Sequence, residues 1–398
     1  MNGTYQQALQ QVLRYAEDRD YSGYSKFDAL NSPWLNTLTL GISPLRWACA
    51  QAVYRSPINI RPWLGVKKGR NPKGVGLFAL AYLYQSRAQP ETSELATHKA
   101  RQLLDWLVET KAPGYHGACW GYNHPWPNFR FSVPSQSPNL VVTGNVVIAL
   151  LEAFEQLGEA KYLEVARSSL EFVFHDLNTL IDTPEEKAVS YVPGSDWIVL
   201  NNQGLAAVLM AWCAKHTGEA RLKDTAKCLI HFLVSQQTEE GAWHYAYPPE
   251  SSPVKHDNYH TGNVLDWLLM YSQLTGDQSF RDAFERGITF YRDQLFLPNG
   301  APKFRHNRVF PHDIHGSAQG ALTFSRAATG GYPEYLEWAM KVLDWALMHL
   351  RAADGHFYYQ QGRFHTNRTS LMRWNQAWMA LGLASTLQSQ TTLQPGDQ

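Results

Sequence analysis

The chain has 398 residues, 44% of them hydrophobic and 13% aromatic, enough to bury a large core. Its 35 Lys and Arg balance 35 Asp and Glu without forming a basic stripe, which argues against a nucleic-acid partner. Cys49, Cys119, Cys213 and Cys228 show no CxxC spacing and read as reduced, buried thiols; no basic-then-apolar leader and no run of about eighteen apolar residues is evident, so a cytoplasmic protein without stable membrane insertion is expected.

In chain order, an N-terminal helix is expected from about Tyr5 to Asp18, and a loop carrying Asp28 follows. Apolar helices then open at Thr143-Gly144-Asn145, Asn202-Gln203-Gly204, Thr261-Gly262-Asn263, Ser317-Ala318-Gln319 and Trp374-Asn375-Gln376. The third members of these triplets lie 59, 59, 56 and 57 residues apart. Turn glycines Gly158, Gly218, Gly276 and Gly330 keep the same beat at 60, 58 and 54 residues. Two markers in phase define a repeated unit: an apolar helix stopped at glycine, then an amphipathic helix such as Lys161 to Phe174, with Leu163, Ala166, Leu170 and Val173 on one stripe.

Helices apolar on nearly every side must be buried all round, so they form an inner ring near residues 72–85, 139–157, 199–216, 260–275, 315–328 and 372–386. Outer partners fall near 92–111, 160–177, 219–237, 277–294 and 332–351, with the N-terminal helix as the sixth. The expected fold is therefore all-α, an (α/α)6 toroid in one domain over 1–388, with short β-hairpins at one mouth and a flexible tail at 389–398. Gly241 to Tyr245 and Gly355 to Tyr359 read as the short strands.

The long loops from outer to inner helices gather at the mouth where the inner helices begin, and they are rich in aromatic and planar polar residues. Trp120, Tyr122, Trp126, Arg130, Trp243, Tyr245 and Tyr259 would stack on a pyranose, while Asn145, Asn202, Asn263, Gln319 and Gln376 would meet its hydroxyls. The alternative is that these rings pack their own loops.

His256-Asp257 with His260, and His312-Asp313 with His315, occupy equivalent places before two inner helices. Each Asp can cap its helix; the paired His residues suit acid/base work or an anionic ligand. A zinc site is disfavoured, since no HExxH spacing and no cysteine accompanies them, and no metal or cofactor is expected. Asp266, inside an apolar helix, is either a cavity acid or a structural acceptor; Asp28 and Asp196 are loop carboxylates that belong with the candidate acids. Arg373, beside Trp374, either grips an anion or ties the seam of the ring. The Lys67-Lys68-Gly69-Arg70 cluster reads as a solvated loop.

The segments Tyr21-Ser22-Gly23-Tyr24 through Asp28-Ala29-Leu30-Asn31-Ser32, Trp120-Gly121-Tyr122 through Pro138-Asn139 and Thr143, Gly241-Ala242-Trp243 with His260-Thr261-Gly262-Asn263, and Met372-Arg373-Trp374-Asn375-Gln376-Ala377-Trp378 resemble bacterial toroid proteins of extracellular and capsular polysaccharide biosynthesis. The architecture is more distantly similar to glucuronyl C5-epimerases, N-acylglucosamine 2-epimerases and unsaturated glucuronyl hydrolases. The resemblance implies a glycan substrate and a place in a polysaccharide biosynthesis complex, but transfers no catalytic residue.

Glycoside hydrolysis needs two carboxyl groups about 5–9.5 Å apart, to be drawn from Asp28, Asp196, Asp257 and Asp313, and is the leading expectation. Epimerisation or elimination would instead use Tyr259, His260, His315 and Arg373. Two further alternatives stand. Gln237-Thr238-Glu239-Glu240-Gly241-Ala242-Trp243 fits the Q-x3-G-x-W element of squalene and hopene cyclases, though no DxDD acid segment accompanies it, and the toroid could also be a non-catalytic glycan-binding scaffold.

Overall fold

A computed structural model describes residues 2–40, 42–127 and 132–393. The chain begins with α1 (Asn2–Glu17), the short α2 (Pro33–Leu38) and α3 (Ser43–Arg55). Alternation then sets in with α4 (Pro72–Ala88), α5 (Ser93–Glu109), α6 (Leu140–Leu157), α7 (Ala160–His175), α8 (Leu200–Thr217) and α9 (Ala220–Ser235). It continues through α10 (Asn258–Thr275), α11 (Arg281–Leu295), α12 (Ile314–Thr329), α13 (Tyr335–Leu350) and α14 (Trp378–Leu393).

The even-numbered helices from α4 to α14 contact one another in sequence, and α14 returns to pack on α4. The inner ring is closed. Each inner helix carries its following or preceding partner outside it, and α1 packs on α14, completing six pairs as the repeat predicts. Tyr5 fixes α1 at the seam by donating its hydroxyl to Asp344 of α13 at 2.6 Å.

Close approach explains the repeated small residues. A Cβ on Gly144 would lie 2.5 Å from Leu205 of the next inner helix, and one on Gly204 would lie 2.9 Å from Trp267 of the helix after that. Glycine is therefore required where neighbouring inner helices touch. Gly158, Gly218 and Gly276 stop their helices with φ of 71°, 74° and 76°. The fourth expected stop differs, because Gly330 stays at φ −85° and Gly331 takes the left-handed turn at 108°.

The closed end of the ring is sealed by a buried polar network. Arg326 of α12 donates to Asp266 of α10 at 2.8 Å, and Gln319 donates to the same oxygen at 3.0 Å. Beside it, Tyr84 and Arg87 of α4 both donate to Glu152 of α6, at 3.0 and 2.6 Å. Asp266 and Gln319 are thus structural, and the expectation that Gln319 meets a sugar is corrected.

Several boundaries differ from the periodicity. Helices α2 and α3 fill a stretch with no regular apolar stripe. The expected helix start at 372 is a π-helical turn, Met372–Ala377, that widens the helix before α14 begins. Residues 389–393 of the expected tail continue α14. The short strands also shift. Ala246–Tyr247 pairs with Ile198–Val199, and Gln360–Gln361 bridges His312–Asp313 and Thr366–Asn367. The pairs lie a few residues later than read because Trp243 and Phe357 turn inward and are buried. Gly69–Arg70, read as a solvated loop, pairs with Ser22–Gly23.

Among the described residues the four cysteines are free; Cys119 and Cys213 are buried, while Cys49 and Cys228 are partly exposed, unlike the expectation. One helix, Leu140–Leu157, is long and apolar enough on average to cross a membrane, although Asn145, Glu152, Glu155 and Gln156 interrupt its apolar run. It is α6 of the inner ring, and its apolar surface is largely covered by neighbouring helices.

Removing one partner of a buried ion pair leaves an uncompensated charge. Asp266→Ala is expected to lower stability by about 3–5 kcal/mol, whereas Arg281→Ala, at an exposed pair with Glu285, should leave the unfolding midpoint nearly unchanged. Urea unfolding of the two variants checks the contrast.

Candidate functional site

At the open end, the N-terminal turns of the inner helices and the long loops enclose a cavity of about 1020 Å³. Lys73 enters from α4, Asn201 and Asn202 from α8, Tyr259, His260 and Asn263 from α10, His315 from α12, and Arg373 with Trp374 from the π turn. The wider turn lets these two consecutive residues both face the cavity. Lys26 and Phe27 descend from the loop after α1, and α3 contributes Trp47, Gln51, Tyr54 and Arg55.

One wall is aromatic. Tyr122, Trp126, Tyr191, Trp197 and Tyr245 line it, with Trp126 and Tyr191 centroids 5.1 Å apart and Trp197 and Tyr245 5.4 Å apart. Such a run offers flat apolar faces with polar edges. His124 stacks on Tyr122 at 5.3 Å; its Nδ1 lies 3.1 Å from Pro125 O and its Nε2 3.0 Å from Ser25 Oγ. Burial pushes its pKa down to about 3, keeping the ring neutral.

The opposite side holds two further imidazoles. His260 Nδ1 sits 2.7 Å from Asp257 Oδ2, while Asp257 Oδ1 accepts the His260 backbone N–H at 2.9 Å as a helix cap. One carboxylate therefore both caps α10 and orients the ring that lines the cavity, leaving Nε2 as the nitrogen for a ligand. His315 packs on Trp374 and Trp378 at 4.2 and 4.6 Å, and neither ring nitrogen has a hydrogen-bond partner among the described residues. Burial first, then the positive charges of Lys73, Arg373 and Lys26, hold its pKa well below the ordinary imidazole value. The Tyr259 ring lies between the two, 4.6 Å from His260 and 4.9 Å from His315.

Other buried polar atoms are also unpartnered among the described residues: Arg373 Nε, Asn201 Oδ1, and both Oδ1 and Nδ2 of Asn202. Buried groups of this kind are ordinarily satisfied. These atoms, like the two ring nitrogens of His315, belong to residues that line the cavity.

Of the residues singled out from sequence, the cavity gathers Tyr122, Trp126, Asn202, Tyr259, His260, Asn263, His315, Arg373 and Trp374. The others go elsewhere for identifiable reasons. Trp120 and Trp243 are buried under outer helices, donating their indole N–H groups to Leu107 O and Leu233 O, both at 2.9 Å. Asn145 donates to Val141 O within its own helix. Gln376 clips the loop backbone, accepting from Phe357 N–H at 2.8 Å and donating to Phe357 O at 2.9 Å; Gln203 does the same to Val189.

His256 lies 2.7 Å from Trp243 O, in a separate shallow pocket with His306 and Glu240. His312 lies 2.7 Å from Pro302 O and packs on Trp345. Arg130 lies outside the described residues.

The carboxylates are likewise dispersed. Asp196 is exposed. Asp28 is buried against Arg61 at 2.6 Å and accepts from Ser25 N–H at 2.7 Å, so it shapes the turn that carries Lys26. Asp313 accepts from Trp374 Nε1, Gln360 Nε2 and His315 N–H at 3.0, 2.8 and 3.0 Å. Among the described residues no Asp or Glu lines the cavity. Among the described residues no group of three or more His, Cys, Asp or Glu side chains converges as a metal ion would need.

The Q-x3-G-x-W element is also a tether. Gln237 donates to Gly241 O and Ala283 O at 3.0 and 2.8 Å, while Trp243 ties back to α9. It is remote from the cavity lining. Sequence reasoning missed Lys26, Lys73, Asn201, Tyr191 and Trp197; a lysine in the first turn of an otherwise apolar helix was the available signal for Lys73.

No protein-family model matches this chain, and neither does any curated protein. Solved structures do match. A GH76 α-mannanase from Bacteroides thetaiotaomicron superposes with a TM-score of 0.60 at 13% identity, over 81% of this chain and 86% of that one. Cellobiose 2-epimerase from Bacillus thermoamylovorans gives 0.61 at 11%, over 79% and 87%. An unsaturated glucuronyl hydrolase specific for heparin gives 0.59 at 12%, over 83% and 89%. At these identities the likeness establishes the fold, an α/α toroid shared with glycosidases and sugar epimerases.

His124 supplies a pH signature. Its folded pKa lies below the unfolded value of about 6.5, so the unfolded chain binds more protons at acidic pH and stability falls as pH drops from there toward about 3. His124→Asn is expected to lose less stability than the wild type between pH 7 and pH 4, measured by urea unfolding across that range.

Proposed function

We propose that this protein is a carbohydrate-active enzyme that moves a proton at a sugar carbon, in an epimerisation or an elimination, with His260 and His315 as the proton-transfer groups. The observation that carries this reading is two imidazoles on adjacent inner helices facing one acid-free cavity. Asp257 holds His260 through Nδ1, which orients the ring and turns Nε2 to the cavity. His315 is kept neutral by burial and by nearby cations, so an unprotonated ring nitrogen faces the substrate near neutral pH.

The aromatic wall of Tyr122, Trp126, Tyr191, Trp197 and Tyr245 supports a pyranose as the ligand, and Asn201, Asn202 and Asn263 are placed for its hydroxyls. The same fold serves a cellobiose 2-epimerase as well as hydrolases, so the architecture is compatible with either chemistry. Two-carboxylate hydrolysis, the leading sequence expectation, has less support. Asp257 reaches the cavity only through His260, Asp313 is committed to three donors, and Asp28 to Arg61.

The test is incubation with a panel of neutral and uronate-containing oligosaccharides in deuterium oxide, followed by NMR of the ring protons. One carbon-bound position should acquire deuterium, and His260→Gln or His315→Gln should slow this by about 10²-fold or more, with Asp196→Asn unaffected. New reducing ends without carbon-bound deuterium would instead establish hydrolysis. Tight binding with no chemistry would leave a glycan-binding scaffold.

A further inference from the structure

Three cations stand at the floor of the cavity. Lys26, Lys73 and Arg373 all line it, yet they are only 5%, 6% and 4% exposed. The Lys26 ammonium sits 3.6 Å from the centroid of Trp374, and that of Lys73 sits 5.1 Å from the centroid of Trp378. Arg373 lies over Tyr122 at 5.0 Å. All three act electrostatically on the same imidazole, His315.

None of the three forms an ion pair with a carboxylate among the described residues. Asp313 influences Lys26, and Asp28 influences Arg373, only at longer range. Asp28 is moreover already paired with Arg61. Burying an unpaired ammonium or guanidinium is costly, and aromatic faces return only a part of it. Folds ordinarily avoid three such groups together. Elsewhere in this chain buried Arg residues follow the rule, since Arg61 and Arg326 each meet an aspartate.

The backbone is also arranged to seat Arg373. A Cβ on Gly74 would lie 3.2 Å from Arg373 Cβ, so α4 approaches the π turn as closely as glycine permits. The guanidinium retains an unpartnered buried Nε among the described residues.

We propose that Lys26, Lys73 and Arg373 form an anion subsite that receives the carboxylate of a uronic-acid residue, making the substrate an acidic rather than a neutral glycan. This rests on the proton-transfer reading of the same cavity and names its substrate class. A planar carboxylate matches the fork of Arg373 and leaves room for both ammonium groups. Neutralising that carboxylate acidifies the adjacent ring C–H. The base removes this proton, the C–H electron pair moves onto the carboxylate as an enolate, and the three cations hold the added charge.

Two outcomes balance from there. Reprotonation of the carbon on the opposite face by a second imidazole that entered the cycle as imidazolium, with solvent then taking the proton from the first, gives the epimer. Expulsion of the β-linked oxygen, with the electron pair forming the C=C bond and the imidazolium left by the first step giving its proton to the leaving alkoxide, yields an unsaturated uronate and a shortened chain.

Isothermal titration of the full chain with a glucuronate-containing oligosaccharide, its neutral glucose counterpart and inorganic phosphate tests the subsite. The uronate ligand is expected to bind at least about tenfold more tightly than the neutral one. Lys73→Met and Lys26→Met should each erase most of that preference while the neutral ligand keeps its affinity. Lys73→Met should also melt no lower than wild type, because it removes a buried charge; a lower melting point with an unchanged preference would make Lys73 a structural residue and overturn its role.

Equal affinity for the two sugars overturns the proposal even if deuterium exchange occurs on the neutral one. Phosphate competing as strongly as the uronate would assign the subsite to a phosphorylated ligand instead. Selective uronate binding without exchange would keep the subsite and remove the proton-transfer reading.

Discussion

Everything at the open mouth depends on how closely the inner helices pack at their first turns. Gly144, Gly204 and Gly262 sit where a neighbouring helix leaves no space for a methyl group, and that contact fixes the spacing of the ring. Once the helix starts are fixed, buried amides one residue away can reach across to the loops. Gln203 and Gln376 each hold one loop residue by both its N–H and its C=O, using nearly identical geometry three ring positions apart. The loops are therefore anchored to the rigid ring rather than draped over it, which is the condition for presenting several side chains to one ligand with fixed geometry.

That anchoring accounts for what the sequence does and does not reveal. The repeat was legible because glycine contacts and polar clips recur with each helical pair. The roles of individual polar residues were not, since a Gln that clips a loop and an Asn that faces a ligand are the same kind of residue at nearly the same place. Asn202 and Gln203 are adjacent in the chain, yet one lines the cavity and the other holds Val189. Likewise, Asp257 and Asp313 both cap helices, but only Asp257 meets an imidazole side chain, because His260 lies three residues after its cap whereas His315 lies two after its own.

The least legible residues were the lysines. In a sequence, Pro72-Lys73 at a helix start looks like an ordinary solvated end. Its burial follows from the π turn and α14 packing on α4, which set Arg373 and Trp378 beside it from the far end of the sequence. Lys26 is similar: its position is set by the Asp28–Arg61 pair, a contact spanning 33 residues that no local pattern encodes. Long-range electrostatics thus decide the character of the cavity, while short-range packing decides its shape.

The meeting of α1 with α13 and α14 has a temporal side. As the chain leaves the ribosome, α4 through α12 can stack pairwise, but α4 keeps one flank uncovered and α1 lacks its partner until the final helix has been made. The cavity floor is divided in the same way, with Lys26 and Lys73 synthesised early and Arg373 arriving near the end. A nascent or truncated chain would hold stacked helices without an assembled pocket, so ligand affinity appears only with completion of the ring.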